Sequence, residues 1–463
     1  MEFDSIAELM KYSENIIGKS LNDIINENEG DFSDKHTMKK TKGILGELVE
    51  TEFYKYPNNN VSKADFEKLG IELKTTGIIK NSKGIRAKER LVLNMINYME
   101  IINEEFETSH LMEKNNLILI LWYCYQTNKD FKDFKFISIL LYSLYRDQDI
   151  IENDFNIIKN KVLEGKAHEL SEGDTTYLGA CTKSSTSKVT RKQPFSDIPA
   201  KPRAFCLKNK YMNLILNDLL NNKEIHTTPK KHEFLSVIDF IKSKMEPFFG
   251  MTQIEIADEI GITYDINKRI PKNINKLISD KIIGKDNELQ EIDEIFQYSS
   301  YVIKNSPITK NGFKERMSFK NIKLSDFDVD WDNSSWKNYF EEINIINILY
   351  EGKNPSIKNG FRILKDVKSL TFTPDEIDCI GRTFNMIKNA IKEYENKTYG
   401  NDLDKYVELL PTPKSFEGQI MDVLPKSSKG KDSYYTLFVN DNDSTKVALA
   451  LTKDFLNKKL NFI

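Results

Sequence analysis

Ala64-Asp65-Phe66-Glu67-Lys68-Leu69-Gly70-Ile71-Glu72-Leu73-Lys74-Thr75 is the stretch that decides the reading of this chain. After Gly70, Ile71 to Thr75 alternates apolar and polar side chains, the pattern of a half-buried strand. Alternation puts Glu72 and Lys74 on one face and Ile71 and Leu73 on the other. Asp65 lies across the turn at Gly70 and reaches the same polar edge. Two carboxylates held close repel each other and favour a divalent, oxygen-loving cation such as Mg²⁺. A neighbouring ammonium helps deprotonate an attacking water and steadies charge developing on phosphorus. These are the residue types that phosphodiester hydrolysis needs. An acid-x-Lys triplet alone is weak, because Asp130-Phe131-Lys132, Glu164-Gly165-Lys166 and Glu351-Gly352-Lys353 also carry it. Asp65 and the strand context set Glu72-x-Lys74 apart.

Outward from that strand, Ile6 to Ile25 has the apolar spacing of an opening amphipathic helix. A second helix is expected from Gly43 through Leu45, Leu48, Val49 and Phe53, ending before the turn signal Tyr56-Pro57-Asn58-Asn59-Asn60. Leu91-Val92-Leu93 and the apolar run Leu117 to Tyr125 read as further strands. The fold class expected is mixed α/β, each half a mixed sheet flanked by helices. The polar stretch 223–232 is the best linker candidate. It divides the chain into 1–222, expected to be catalytic, and 233–463, expected to bind DNA or regulate.

The composition narrows the function. At 463 residues the chain is long enough for two or three domains with full cores. Charged residues make up 30% but nearly cancel, to a formal −3, so any nucleic-acid surface must be local. Four cysteines without a Cys-x-x-Cys pair argue against a disulfide framework and a structural zinc site. The acidic N-terminus lacks a signal-peptide core, and the longest apolar run is too short to span a bilayer. A cytoplasmic protein with no membrane partner is expected.

The surrounding motifs carry a family resemblance. Lys42-Gly43-Ile44-Leu45-Gly46-Glu47-Leu48-Val49-Glu50 resembles the helix start of the MutH mismatch-repair endonuclease family, and Asp65 to Thr75 resembles its metal-binding strand. Glu107-Thr108-Ser109-His110-(x3)-Lys114 resembles its segment bearing a further active-site lysine. Tyr177-Leu178-(x4)-Lys183 and Arg203-Ala204-Phe205-(x)-Leu207-Lys208 resemble its DNA-reading segments. The resemblance implies the restriction-endonuclease-like fold of the PD-(D/E)xK class. It implies Asp65 and Glu72 as metal ligands and Lys74 as the water-activating lysine, with Glu50 and Lys114 completing the site. On the residues alone, Glu50 reads as a solvated helix carboxylate and Lys114 as a surface lysine. Two departures stand out: Cys181 replaces an arginine of the family pattern and Cys206 a tyrosine.

A second copy is discernible. Lys88-Glu89-Arg90-Leu91 is echoed by Lys314-Glu315-Arg316-Met317, and the segment ending in Lys183-Ser184-Ser185 by the one ending in Lys426-Ser427-Ser428. Tyr211-Met212-Asn213 is echoed by Phe455-Leu456-Asn457. Around the aligned Lys304, however, the second half offers Ile295 and Val302 in place of Asp65 and Glu72. A MutH-like half followed by a degenerate copy is the layout of the Sau-three-A type restriction endonucleases, which implies Mg²⁺-dependent double-strand cleavage at GATC, 5′ of the G. With one active centre per chain, cutting both strands calls for dimerisation on DNA or a second binding event. The competing readings are a mismatch-repair nicking enzyme, which resembles one copy alone, and a DNA-binding protein without catalysis.

DNA contacts are expected where basic residues cluster. From Lys183 to Lys210 eight lysines and arginines face the single acid Asp197, a local basic stretch suited to phosphate contacts. Lys183, Ser184, Ser185, Arg203 and Lys208 are the candidates in the first half, with Lys42 and Gly43. Lys426, Ser427 and Ser428 are those in the second.

Overall fold

The computed structural model describes residues 2–27, 43–56, 63–81, 84–183, 189–221, 231–263, 270–284, 298–354, 360–427, 430–440 and 443–462. The chain divides into two units. The first comprises Met1–Leu170 with Thr175–Leu235, and the second Ser171–Asp174 with Ser236–Ile463. Most of the expected linker lies outside the described residues. His232, expected within it, is held by the first unit: its Nδ1 is 2.8 Å from Asp149 Oδ1 and its Nε2 3.2 Å from Asp147 Oδ1.

The first unit opens with α1 (Ile6–Ser13) and α2 (Leu21–Glu27) rather than one helix across Ile6–Ile25. Gly18 between them adopts φ +85°, outside the right-handed helical region, and so breaks the helix. Next comes α3 (Ile44–Leu48), which continues into a π-helical turn at Val49–Phe53. The strands of this unit are β1 (Ile71–Asn81), β2 (Gly84–Ala87), β3 (Leu91–Met95), β4 (Leu117–Cys124), β5 (Phe136–Ser143), β6 (Leu178–Thr182), β7 (Arg191–Gln193), β8 (Ser196–Ala200) and β9 (Arg203–Leu207). Its remaining α-helices are α4 (His110–Asn115), α5 (Gln148–Leu163) and α6 (Asn209–Leu220).

The main sheet runs β2-β1-β4-β5, and a smaller one β3-β9-β6. Only the β1–β4 pair of the main sheet is parallel. A parallel pair needs a crossover, supplied here by the segment carrying β3 and α4. Buried almost throughout, β4 reads as an unbroken apolar run for that reason. Ile71 and Leu73 of β1 enter a core with Leu9, Leu48, Val49, Phe53, Leu119 and Leu121. Each fully buried leucine there contributes about 1.5–3 kcal/mol. That commitment leaves Glu72 and Lys74 on the opposite face.

The second unit repeats the plan with β10 (Tyr301–Thr309), β11 (Gly312–Phe313), β12 (Met317–Lys323), β13 (Asn344–Glu351), β14 (Ile363–Leu370), β15 (Met421–Pro425) and β16 (Ser444–Leu451). Its sheets run β11-β10-β13-β14 and β12-β16-β15, the same orders as in the first unit. Registers correspond as well. Leu91 and Leu178 both pair with Leu207, as Met317 and Met421 both pair with Leu451. Asn213 Oδ1 accepts the Ala87 N–H at 2.8 Å, and Asn457 Oδ1 accepts the Phe313 N–H at 2.6 Å. In both cases an asparagine of the closing helix ties down the hairpin strand at the edge of the main sheet.

The two units anchor the strand before the expected reading loop differently. Asp154 of α5 is fully buried and accepts the N–H groups of Thr176, Tyr177 and Leu178 at 2.7–2.8 Å. Burial outweighs those bonds and Lys208, and pushes its carboxyl up to about 6. In the second unit the buried Thr383, on helix Pro374–Glu395, donates to the Met421 carbonyl at 3.0 Å instead.

Candidate active site

Four segments bring the acidic and basic side chains of the first unit together. β1 supplies Glu72 and Lys74, whose Oε1 and Nζ are 2.5 Å apart as expected for same-face neighbours. Asp65, across the turn closed by Gly70 at φ +64°, accepts the Leu73 N–H at 2.9 Å and is fixed against the strand. α4, capped by Ser109, places Lys114 Nζ 3.6 Å from Glu72 Oε1. Glu50 sits on the π-helical turn after α3. Such turns re-aim side chains within a helix and recur at functional sites. α3 packs closely on β1: a Cβ at Gly46 would touch Thr75 Oγ1 at 3.5 Å.

The electrostatics match that geometry. Burial is the largest effect on Glu50 and pushes its carboxyl up to about 7, with repulsion from Asp65 adding to it and Lys74 opposing. Burial also holds Glu72 above the usual carboxylate range, against the pull of Lys74 and with Asp65 repelling. Glu72 is 2% exposed, and its Oε2 has no hydrogen-bond partner among the described residues. A buried carboxylate oxygen without a donor, beside two further acids, is a site short of positive charge. The donor set therefore fits a hard divalent cation.

Beside this cluster lies a cavity of about 460 Å³ lined by Asn94, Glu100, Glu104, His110 and Lys114 among others. Among the described residues, Glu100, Glu104 and His110 form a group whose ligand atoms lie within 4.8 Å of one another. His110 Nδ1 is 2.6 Å from Glu104 Oε1. In the sequence His110 stands out only as part of a motif. The cavity is not legible there, because its walls come from segments whose proximity depends on the β3–β9 pairing.

The expected DNA-facing residues divide. Lys183 follows β6 and its N–H donates to the Pro202 carbonyl at 2.9 Å, while Lys426 follows β15 and donates to the Lys446 carbonyl at 2.8 Å. The two lysines hold equivalent places at strand ends. Gly43 takes φ +105° at the N-cap of α3. Lys42, Ser184, Ser185 and Ser428 lie outside the described residues, as does Ile295. Ser427 is described, with its hydroxyl 2.6 Å from that of Ser433.

Arg203 and Lys208 are a correction. Arg203 is 4% exposed, and its guanidinium donates to the carbonyls of Ala180 and Leu170. Lys208 is 1% exposed, and its ammonium donates to the Thr175 carbonyl beside Asp154. Both charges are buried and tie backbone segments together inside the unit, where the expected exposed DNA-facing positions are not found.

The equivalent strand of the second unit carries no acid at these places. β10 pairs with β13 as β1 pairs with β4, so register puts Val302 where Glu72 stands and Lys304 where Lys74 stands.

Comparison with known proteins shows the family. The family model described as "DNA mismatch repair enzyme MutH" matches residues 54–154, which include Asp65, Glu72, Lys74 and Lys114. "DNA mismatch repair protein MutH" of Vibrio parahaemolyticus is 26% identical over 221 residues, 46% of this chain but 94% of that protein. "Type II restriction enzyme Sau3AI" of Staphylococcus aureus is 33% identical over 365 residues, 74% of this chain and 72% of that enzyme. The mismatch-repair protein thus accounts for about one unit's worth of sequence, whereas the match to the restriction enzyme is longer than either unit alone. Among the described residues no helix is long and apolar enough to cross a membrane. A MutH-like acidic cluster within a chain matched well beyond one unit shows that the protein belongs to the MutH-like, Sau3AI-type family of type II restriction endonucleases.

Proposed function

We propose that this chain cuts double-stranded DNA at GATC, 5′ of the G, in a Mg²⁺-dependent reaction carried out by the first unit, while the second, degenerate unit holds DNA. The observation that carries this reading is the contrast between β1 and β10. One presents Glu72 and Lys74 beside Asp65, Glu50 and Lys114, and the other has Val302 and Lys304 at the two strand positions. The duplicated strand orders support descent of both units from one ancestral copy. The GATC assignment comes from the tandem layout and the family's sequence segments.

In this reading Asp65 and Glu72 hold the cation. When bound, Mg²⁺ supplies Lewis-acid polarisation of the scissile phosphate and makes water a better nucleophile. Lys74, fixed on Glu72, orients the attacking water. Lys114 places a second ammonium where negative charge builds on the phosphoryl oxygens. Glu50, with its carboxyl near 7, is suited to accept a proton at neutral pH. Lys183, at the end of β6, is the candidate for reading a guanine edge, for which lysine is a familiar partner.

Digestion of a sequenced supercoiled plasmid with and without Mg²⁺, with the ends mapped, tests the proposal. Linear fragments with ends 5′ of GATC support it, whereas nicked circles alone identify a mismatch-repair type of activity. No cleavage under any divalent metal leaves a binding protein.

A further inference from the structure

The degenerate site of the second unit carries a charge arrangement of its own. Lys304, half-buried on β10, donates from Nζ to the Ser318 carbonyl at 2.7 Å and lies 5.1 Å from the centre of the Phe319 ring. Lys426, exposed at the end of β15, donates from Nζ to the Ser318 hydroxyl. Two ammonium groups, one on β10 and one just past β15 of the other sheet, therefore converge on one residue. Burial and the neighbouring Lys426 together hold Lys304 below the ordinary lysine range, and burial does the same to Lys426. Among the described residues neither amine forms an ion pair with a carboxylate. In the first unit the equivalent amine, Lys74, rests 2.5 Å from Glu72.

Replacing Glu72 by Val302 thus did more than remove a ligand. It turned a site of mixed charge into a doubly cationic one, floored by Lys304 and rimmed by Lys426. Two neighbouring cations without a counter-charge repel each other, at a cost that an anion bridging them relieves. A lysine ammonium has three donors, and Lys304 uses one on a carbonyl. The remaining donors point to an oxyanion with several acceptor oxygens. We propose that Lys304 and Lys426 bind a phosphate oxyanion of the DNA backbone directly, with no metal, at the place in the second unit that corresponds to the scissile-phosphate position of the first. This rests on the reading that the second unit holds DNA, and it names where one backbone phosphate is taken.

The test is lysine acetylation footprinting by mass spectrometry on the full chain without divalent metal, with a GATC duplex, a scrambled duplex or inorganic phosphate added. Both duplexes are expected to protect Lys304 and Lys426 severalfold and to similar extents, since a phosphate contact carries no base information. Lys426→Met combined with Lys304→Met is expected to lower the slope of log affinity against log salt by about 0.9, the share of one phosphate, and either single change by less. A loss of about 0.9 for each single change, adding in the double, overturns the shared phosphate. Protection of other second-unit lysines such as Lys314 and Lys414, without this pair, overturns the site but leaves the DNA-holding reading standing. Protection of no second-unit lysine overturns that reading as well. Protection by inorganic phosphate but by neither duplex overturns the DNA assignment in favour of a free phosphate.

Discussion

β1 and β10 occupy the same position in sheets of the same strand order, yet one carries Glu72 and Lys74 and the other Val302 and Lys304. The sheet is held by its apolar face and its ladder, which both units keep. The acids of the proposed site sit on the opposite face, where substitution leaves the frame intact. They also strain that frame, because Glu50 and Glu72 are carboxylates that burial disfavours as ions. Under the proposed reading, a copy relieved of cutting sheds that cost and keeps the scaffold.

The sharpest way to break the comparison is to make the first unit resemble the second. Asp65→Ala or Glu72→Ala should lower cleavage by more than about 10⁴-fold, over 5 kcal/mol of barrier, while DNA binding stays largely intact. Near-normal plasmid cleavage by both variants would sink the proposed site.

A second comparison concerns how each unit anchors its strand. Asp154→Ala leaves three buried N–H groups unpaired and should cost about 3–4 kcal/mol of stability in the first unit. Thr383→Ala, which removes a single hydroxyl donor, should cost about 1 kcal/mol in the second. Denaturant unfolding of both variants reads the difference, and equal losses would mean the anchors are equivalent after all.

Lys183→Ala should weaken cognate binding by about 1–3 kcal/mol and scrambled DNA by much less. Lys426→Ala, at the equivalent strand end, should weaken both alike if it meets only phosphate. A uniform loss for Lys183→Ala in competition binding decides that it too reads no base.

The smallest effect is a matter of pH. The Glu50 carboxyl is raised from 4.5 to about 7 in the folded protein, so its contribution to stability is fully present below about 4.5 and is lost as pH rises through 7. Glu50→Gln should therefore raise the melting temperature of the metal-free protein at about pH 8 and change it little below about 4.5. A gain of the same size at both pH values would show that the carboxyl is not displaced.

The sequence made β1 legible because its information is local: alternation, a glycine turn and two acids within eight residues. It made the duplication legible too, since the echoed segments fall at matching strand starts, Leu91 and Met317, and at matching closing-helix asparagines, Asn213 and Asn457. Arg203 and Lys208 were misread because a basic residue looks the same whether it faces phosphate or a backbone carbonyl. Their acceptors, on Leu170, Thr175 and Ala180, lie 23 to 33 residues away. Asp154 and His232 were opaque for the same reason, their partners being 22 to 24 and 83 to 85 residues distant. The break at Gly18 was the exception, a local signal that helical spacing on either side concealed.

The matching strand orders have a consequence for how the chain reaches its native state. Each main sheet closes on a parallel pair, β1 with β4 and β10 with β13, whose partners are more than 40 residues apart. Such non-local pairing is slow and leaves strand edges exposed meanwhile. In a chain with two sheets of one design, β10 can dock beside β4 during that interval. The buried Ser306 of β10 bonds the buried Asn347 of β13 at 3.4 Å in the native pairing, whereas β4 presents Ile120 at the corresponding register and leaves that hydroxyl stranded. Divergence of the second copy therefore works as an assembly code, penalising the exchange of strands between halves that a faithful duplicate would permit.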